Sequence, residues 1–307
     1  MTVSSSTGEG SEPDSRPVVM TELYEGQGLG NQLWAYAVTR TLAEDSGRRF
    51  SIHGWERFKG KAFMRLDMGE RVVGALHDGP SRDLPQGVFK YVAEHKEWHI
   101  PSGADITPFD PLLAQQIGSM KIDGNFESEK YIFHRRQEIC EWFKVTKKLP
   151  SSFEAVISFR GGEFSAVPDL FLPDTYYRNA MELLRSRYGV KKFVVVTDDP
   201  RTAQAYFPEL KVISHRKLGR PYGRGRLAAW MWGRAVGRDF AALQQAKFLI
   251  LSNSSFSWWG AWTNTVAEEV IAPTYWAKFN TSDGYWSPGD IHTKEWTWLD
   301  RHGSVLP

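Results

Sequence analysis

The chain has a single cysteine, Cys140, in 307 residues, so it has no internal disulfide and is not a disulfide-stapled secreted scaffold. The cysteine sits in "RRQEICEWFKV", where it reads as a small, buried apolar residue in a reducing compartment. Long apolar runs are missing too. No segment approaches 18 consecutive apolar residues, and "MTVSSSTGEGSEPDSRP" has no apolar h-region, so neither a spanning helix nor a signal peptide is expected. That opening stretch is too poor in apolar residues to order itself and is expected to be a disordered leader over residues 1–16. Excess charge is absent as well: 38 Lys and Arg stand against 36 Asp and Glu, a net +2. No global field pulls the chain toward nucleic acid or anionic lipid, so any anion site must be local. These absences point to a cytoplasmic protein, at most peripheral at the inner membrane surface.

Several familiar motifs are also missing. "GQGLGNQ" places glycines at 26, 28 and 30 with Asn31 following. It is therefore not G-x-G-x-x-G, and no G-K-[ST] exists for a P-loop. No two aspartates lie two apart, which removes a metal-binding D-x-D. "HKEWH", residues 95–99, sets its acid one place too late for a zinc-binding H-E-x-x-H. No metal is expected.

What is present is an α/β rhythm. "PVVMTELYEG" reads as a strand, "GQGLGNQ" as a glycine-rich turn, and Leu33, Trp34, Ala37, Val38, Thr41 and Leu42 recur at helical spacing. "RRFSIHGW" reads as a second strand, whereas residues 59–119 carry no regular pattern. A helix is expected over residues 128–143, followed by a linker in "KKLPSS". Beyond it, "EAVISF", "KKFVVVT", "KFLILS" and "EEVIAP" read as buried parallel strands. They alternate with helices in "DTYYRNAMELLRSRYG", "RDFAALQQA" and "SFSWWGAWTNT". The expected architecture is two α/β halves with a cleft between them, residues 17–147 and residues 148–307, as in a two-domain transferase.

Each candidate site residue has a plain structural alternative. Gly28 and Gly30 let backbone approach a ligand, with Asn31 as a helix N-cap; a simple tight turn explains them equally well. Arg160, in "FRGGEF" at a strand's carboxyl end, suits a diphosphate, unless it is a surface arginine paired with Glu163. Asp198 and Asp199 end "VVVTDDP"; one is expected to cap the helix starting at Pro200, leaving the other to face the cleft. In "LSNSSFSWWGAW", Ser254, Ser255 and Ser257 sit at a helix start, where free N–H groups and the dipole make a cradle for phosphate oxygens without a metal. Trp258, Trp259 and Trp262 are expected to wedge that helix into the core. The basic stretch over residues 215–238 reads as a solvated loop, with RNA or a phosphorylated substrate as its alternatives.

The ordered motifs resemble the inverting α-1,2-fucosyltransferases that use GDP-fucose. "GLGNQLWAYAVTRTLAE", "DGNFESEKYI", "YYRNAM", "VVVTDDP" and "NSSFSWWGAW" follow the family's sequence from Gly26 onward. The resemblance implies a GT-B-like fold of two facing Rossmann-like α/β domains, residues 17–147 on the acceptor side and residues 148–307 binding the nucleotide, and fucose transfer to a sugar hydroxyl, α-1,2 to a galactoside. It implies a GDP-sugar donor and a glycan acceptor as partners, no nucleic acid, and no metal or other cofactor. By position, it places Gly28, Gly30, Asn31, Arg160, Asn253, Ser254, Ser255, Phe256 and Ser257 at the donor, and Arg160, Glu163, Asp198 and Asp199 at the chemistry. The general base is Glu163 or one of the Asp198, Asp199 pair. Two places depart from the family pattern. H-x-R-R-G-D-Y stands here as Ser158, Phe159, Arg160, Gly161, Gly162, Glu163 and Phe164, and Gln27 replaces a glycine of GGxGN. The first departure motivates an alternative reading, a GDP-sugar or glycan-binding homologue impaired in catalysis, and another GDP-sugar or acceptor is a further alternative.

Overall fold

A computed structural model describes residues 14–71, 89–99, 104–145, 154–168, 170–214, 226–276, 278–280 and 284–305. Residues 1–13 of the expected leader, the expected linker and residues 215–225 of the basic stretch lie outside that set. The chain begins with β1 (Val18–Glu22), whose five residues are all buried, then α1 (Leu29–Asp45) and β2 (Arg49–His53). β3 (Phe89–Ala93), β4 (Glu97–His99), β5 (Ala104–Thr107) and β6 (Ser119–Asp123) follow. β2, β1, β6 and β3 pair in that order as a parallel sheet. α1 is apolar almost all round and buries thirteen of its residues, as a helix enclosed between layers must.

The segment expected as one helix over residues 128–143 is broken. Two single 3₁₀ turns, Glu129–Tyr131 and Phe133–Arg135, precede α2 (Arg136–Trp142). The Ser128 side chain accepts the Lys130 N–H, and Ile132 leaves helical geometry at φ −131°, so the helix cannot propagate from Ser128. The second half is more regular: β7 (Ala155–Phe159), α3 (Asp174–Tyr188), β8 (Phe193–Thr197), α4 (Pro200–Tyr206) and β9 (Lys211–Ser214). α5 (Arg226–Gln245), β10 (Phe248–Ile250), α6 (Ser255–Trp262) and β11 (Glu269–Pro273) come next. β12 (Lys278–Asn280), β13 (Gly284–Pro288) and β14 (Thr297–Leu299) complete the chain. β14, β11, β10, β7, β8 and β9 form a second parallel sheet. α5 corrects the expected basic loop: from Arg226 onward that stretch is helical.

Two parallel-sheet α/β units are the GT-B-like class expected from the sequence, and they share more than a boundary. A third sheet, β12-β13-β5-β4, pairs Trp286 of β13 with Asp105 of β5. The larger hydrophobic cluster mixes Leu33, Trp34 and Val38 of α1 with Phe240 and Leu243 of α5 and Trp258, Trp259 and Trp262 of α6. The Trp34 ring lies 4.3 Å from that of Trp258 and 4.6 Å from that of Trp259. All three α6 tryptophans are fully buried, so they act as the wedge expected. The Trp258 indole donates to the Ile291 carbonyl, and that of Trp262 to Glu129 Oε2.

Candidate active site

β7 and β10 are neighbouring parallel strands, with Ile157 opposite Ile250. The loops leaving their carboxyl ends therefore emerge about 4.8 Å apart, and open α/β sheets bind ligands at that edge. Arg160 leaves β7. Its Nη1 donates to Asp198 Oδ2 at 2.5 Å and its Nη2 to Glu163 Oε1, while the guanidinium lies 5.2 Å from the Phe164 ring. Asp198 Oδ1 accepts the Gly161 N–H at 3.0 Å. One carboxylate thus pins both the arginine and the turn that carries it. The two glycines are required there. A side chain at Gly161 would meet Asp199 Cβ at 2.5 Å, and Gly162 sits at φ +42° with Asp198 Oδ2 2.6 Å from where its Cβ would lie.

Asp199 has a different task. Its Oδ1 accepts the Thr202 N–H at 3.2 Å and its Oδ2 the Thr202 hydroxyl at 2.6 Å, with Pro200 at the first position of α4. It is the cap, and Asp198 is the acid at the arginine. Of the three acids, Glu163 has the most exposed side chain, 68% against 10% for Asp198.

The loop after β10 leads into α6. Its N-cap is Ser254, in extended geometry, so the first N–H groups of α6 have no partner within the helix. Gly30 presses on that point. A Cβ there would lie 2.4 Å from Phe256 N and from Ser255 C, so the glycine is what lets α1 and α6 start against one another. Gly28, not Asn31, is the N-cap of α1. Asn31 instead aims its amide across the junction: the Ser255 hydroxyl lies 3.0 Å from Asn31 Oδ1 and 2.8 Å from Glu127 Oε1. Two helix N-termini meet here, each carrying partial positive charge.

The serine hydroxyls are less uniform than their spacing suggests. Ser257 donates to the Ser252 and Ser254 carbonyls and is wholly buried. Ser255 is engaged as above, and Asn253 Nδ2 donates to the Leu170 carbonyl at 2.8 Å. Phe256 packs edge-on against Phe240 at 5.4 Å. What this stretch presents at the helix start is therefore Ser254 and backbone N–H groups, a change from three hydroxyls in a row. Gln27, standing for a family glycine, lets its Oε1 accept the Tyr24 N–H and so closes the turn by side chain.

One residue of the irregular sequence reaches this region. Lys59 has Arg160 and then Glu163 as the charges acting on it, and burial followed by Arg160 moves its ammonium below the usual lysine range. Only its proximity in the fold reveals it; no pattern marks it. Among the described residues, no group of three His, Cys, Asp or Glu is placed to hold a metal. His95 is exposed and pairs with Glu97. Cys140 is half-buried, and burial raises its thiol pKa, which makes a nucleophilic role there unfavourable. Arg238, in the former basic loop, is exposed on α5.

Residues 154–300 match the model of glycosyl transferase family 11. An α-1,2-colitosyltransferase of Escherichia coli is 22% identical over 284 residues, covering 81% of this chain and 89% of the relative. The O-antigen biosynthesis glycosyltransferase WbnK, also of Escherichia coli, is 27% identical over 145 residues, 46% of this chain and 42% of its own. Among solved structures, the α-1,6-fucosyltransferase NodZ soaked with GDP-fucose is similar at a TM-score of 0.45 and 14% identity, over 89% of this chain and 99% of that one. No described helix is long and apolar enough to cross a membrane.

Proposed function

Residues 154–300 match the model of glycosyl transferase family 11, and we propose that this chain is a glycosyltransferase of that kind: inverting, taking fucose from GDP-fucose and transferring it to a sugar hydroxyl, α-1,2 to a galactoside. The reading rests on one observation above the others. Arg160, clamped by Asp198 and Glu163, leaves the carboxyl end of β7, and the neighbouring strand β10 leads into α6, whose start meets that of α1. In the proposed reaction the acceptor oxygen attacks the anomeric carbon as the bond to the β-phosphate oxygen breaks. GDP departs with the electron pair and negative charge develops on that phosphate. A preset arginine and helix N–H groups stabilise such charge without reorganising, so this chemistry calls for no metal. Glu163 receives the acceptor proton, because Asp198 and Asp199 have both oxygens committed to the turn and the cap.

Arg160→Ala is expected to lower transfer from GDP-fucose about 100-fold or more. Isothermal titration with GDP, paired with a transfer assay on a galactoside array, measures both arms. Unchanged binding and turnover in the variant would remove this assignment. The altered stretch Ser158 to Phe164 supports a second reading, a homologue that binds the donor but turns it over poorly. GDP-fucose binding without transfer or donor hydrolysis by the wild-type chain would favour it.

A further inference from the structure

We propose that Lys59, carried by the N-terminal half, is a second cationic ligand for the donor diphosphate, meeting it from the face opposite Arg160; this rests on the GDP-sugar reading above. The first support is how firmly Lys59 is held. Its backbone N–H donates to Gln32 Oε1 at 2.9 Å, and Gln32 Nε2 donates to the Arg57 carbonyl at 3.0 Å. Gln32 is fully buried in the first turn of α1, only two residues from Gly30, which abuts Ser255 and Phe256. A few residues on, Phe63 packs where Gly237 of α5 leaves room, so the segment is fastened to both halves. Its position is set by the same junction that sets α6.

The second support is charge. Among the described residues, the Lys59 ammonium has neither an ion pair nor a hydrogen bond, although the residue is half-buried. Lys61 differs: it is exposed, and its ammonium donates to the Glu56 carbonyl. Setting a half-buried cation where the Arg160 charge acts on it is unfavourable unless something negative completes the group. Glu163 cannot meet that need alone, since it already pairs with Arg160. Two phosphates between Lys59, Arg160 and the start of α6 would balance the charge, and would move the Lys59 ammonium back toward its ordinary range.

The test is a titration of GDP, guanosine and inorganic diphosphate against wild-type, Lys59→Met and Lys59→Arg, with thermal melts of each without ligand. Lys59→Met is expected to weaken GDP and diphosphate about tenfold or more and to leave guanosine unchanged. Its unliganded midpoint should stay level or rise, which a scaffolding lysine would not do. Lys59→Arg should retain most of the affinity. Wild-type-like GDP binding by a folded Lys59→Met overturns the inference and leaves the donor reading standing. Failure of the wild type to bind either GDP or diphosphate overturns both.

Discussion

Arg160 is held in company, and in the proposed reaction its partners divide the chemistry between them. Asp198 holds the guanidinium and the Gly161 N–H, so Asp198→Asn should loosen the arginine and weaken GDP binding along with turnover. Glu163→Gln keeps a group able to accept from Arg160 but not a proton acceptor of carboxylate strength. It should lower kcat about 100-fold with GDP affinity little changed, read from initial rates over a pH series. Gly161 supplies a separate check. It occupies the place of the second arginine in the related motif, yet a Cβ there would meet Asp199 at 2.5 Å. Gly161→Arg is therefore expected to disturb the turn and lower activity; a gain in transfer rate would contradict the geometry. The arginine and the capping acid were legible from strand-end position and from Pro200. Which of two adjacent aspartates capped the helix and which held the arginine was not, since both choices satisfy the same local pattern.

At the scale of elements, the junction of α1 and α6 decides most. The glycine spacing of "GQGLGNQ" signalled a close approach, and the fold identifies what approaches: the Ser255–Phe256 peptide against Gly30. Gly30→Ala introduces a methyl against backbone atoms that cannot rotate away, so it should cost about 1–3 kcal/mol and reduce GDP affinity as well, measured by denaturant melts and titration. Trp258→Ala should cost about 3–5 kcal/mol, because the ring is fully buried against Trp34, Trp259 and Trp262. That substitution tests α6 as a wedge between the halves: a single cooperative transition shifted downward fits a shared core, whereas a split transition would not. The segment expected as a basic loop is helical from Arg226 onward, and counting charge concealed that.

For the molecule as a whole, pH reports on a buried imidazole. His53, at the end of β2, is nearly fully buried and its Nε2 has no hydrogen-bond partner among the described residues; burial followed by the Lys121 charge lowers its pKa below the ordinary 6.5. The unfolded chain therefore takes up more protons than the folded one as pH falls through 6.5. Stability is full above that value and declines below it. Thermal midpoints should fall between about pH 7.5 and about pH 5, with a shallower fall in His53→Leu. By itself the sequence determined the α/β class, the strand-and-helix order of the second half and the arginine at a strand end. Those follow from local periodicity, turn chemistry and motif order, which are properties of neighbouring residues. Only the tertiary structure decided that Asn31 and Ser255 meet 224 positions apart and that a tryptophan helix locks two sheets into one core. It also decided that Lys59, in a stretch with no pattern, lies within the field of Arg160, its ammonium in no ion pair or hydrogen bond among the described residues. Charges and close contacts between distant segments depend on how helices cross, and no short-range signal records that.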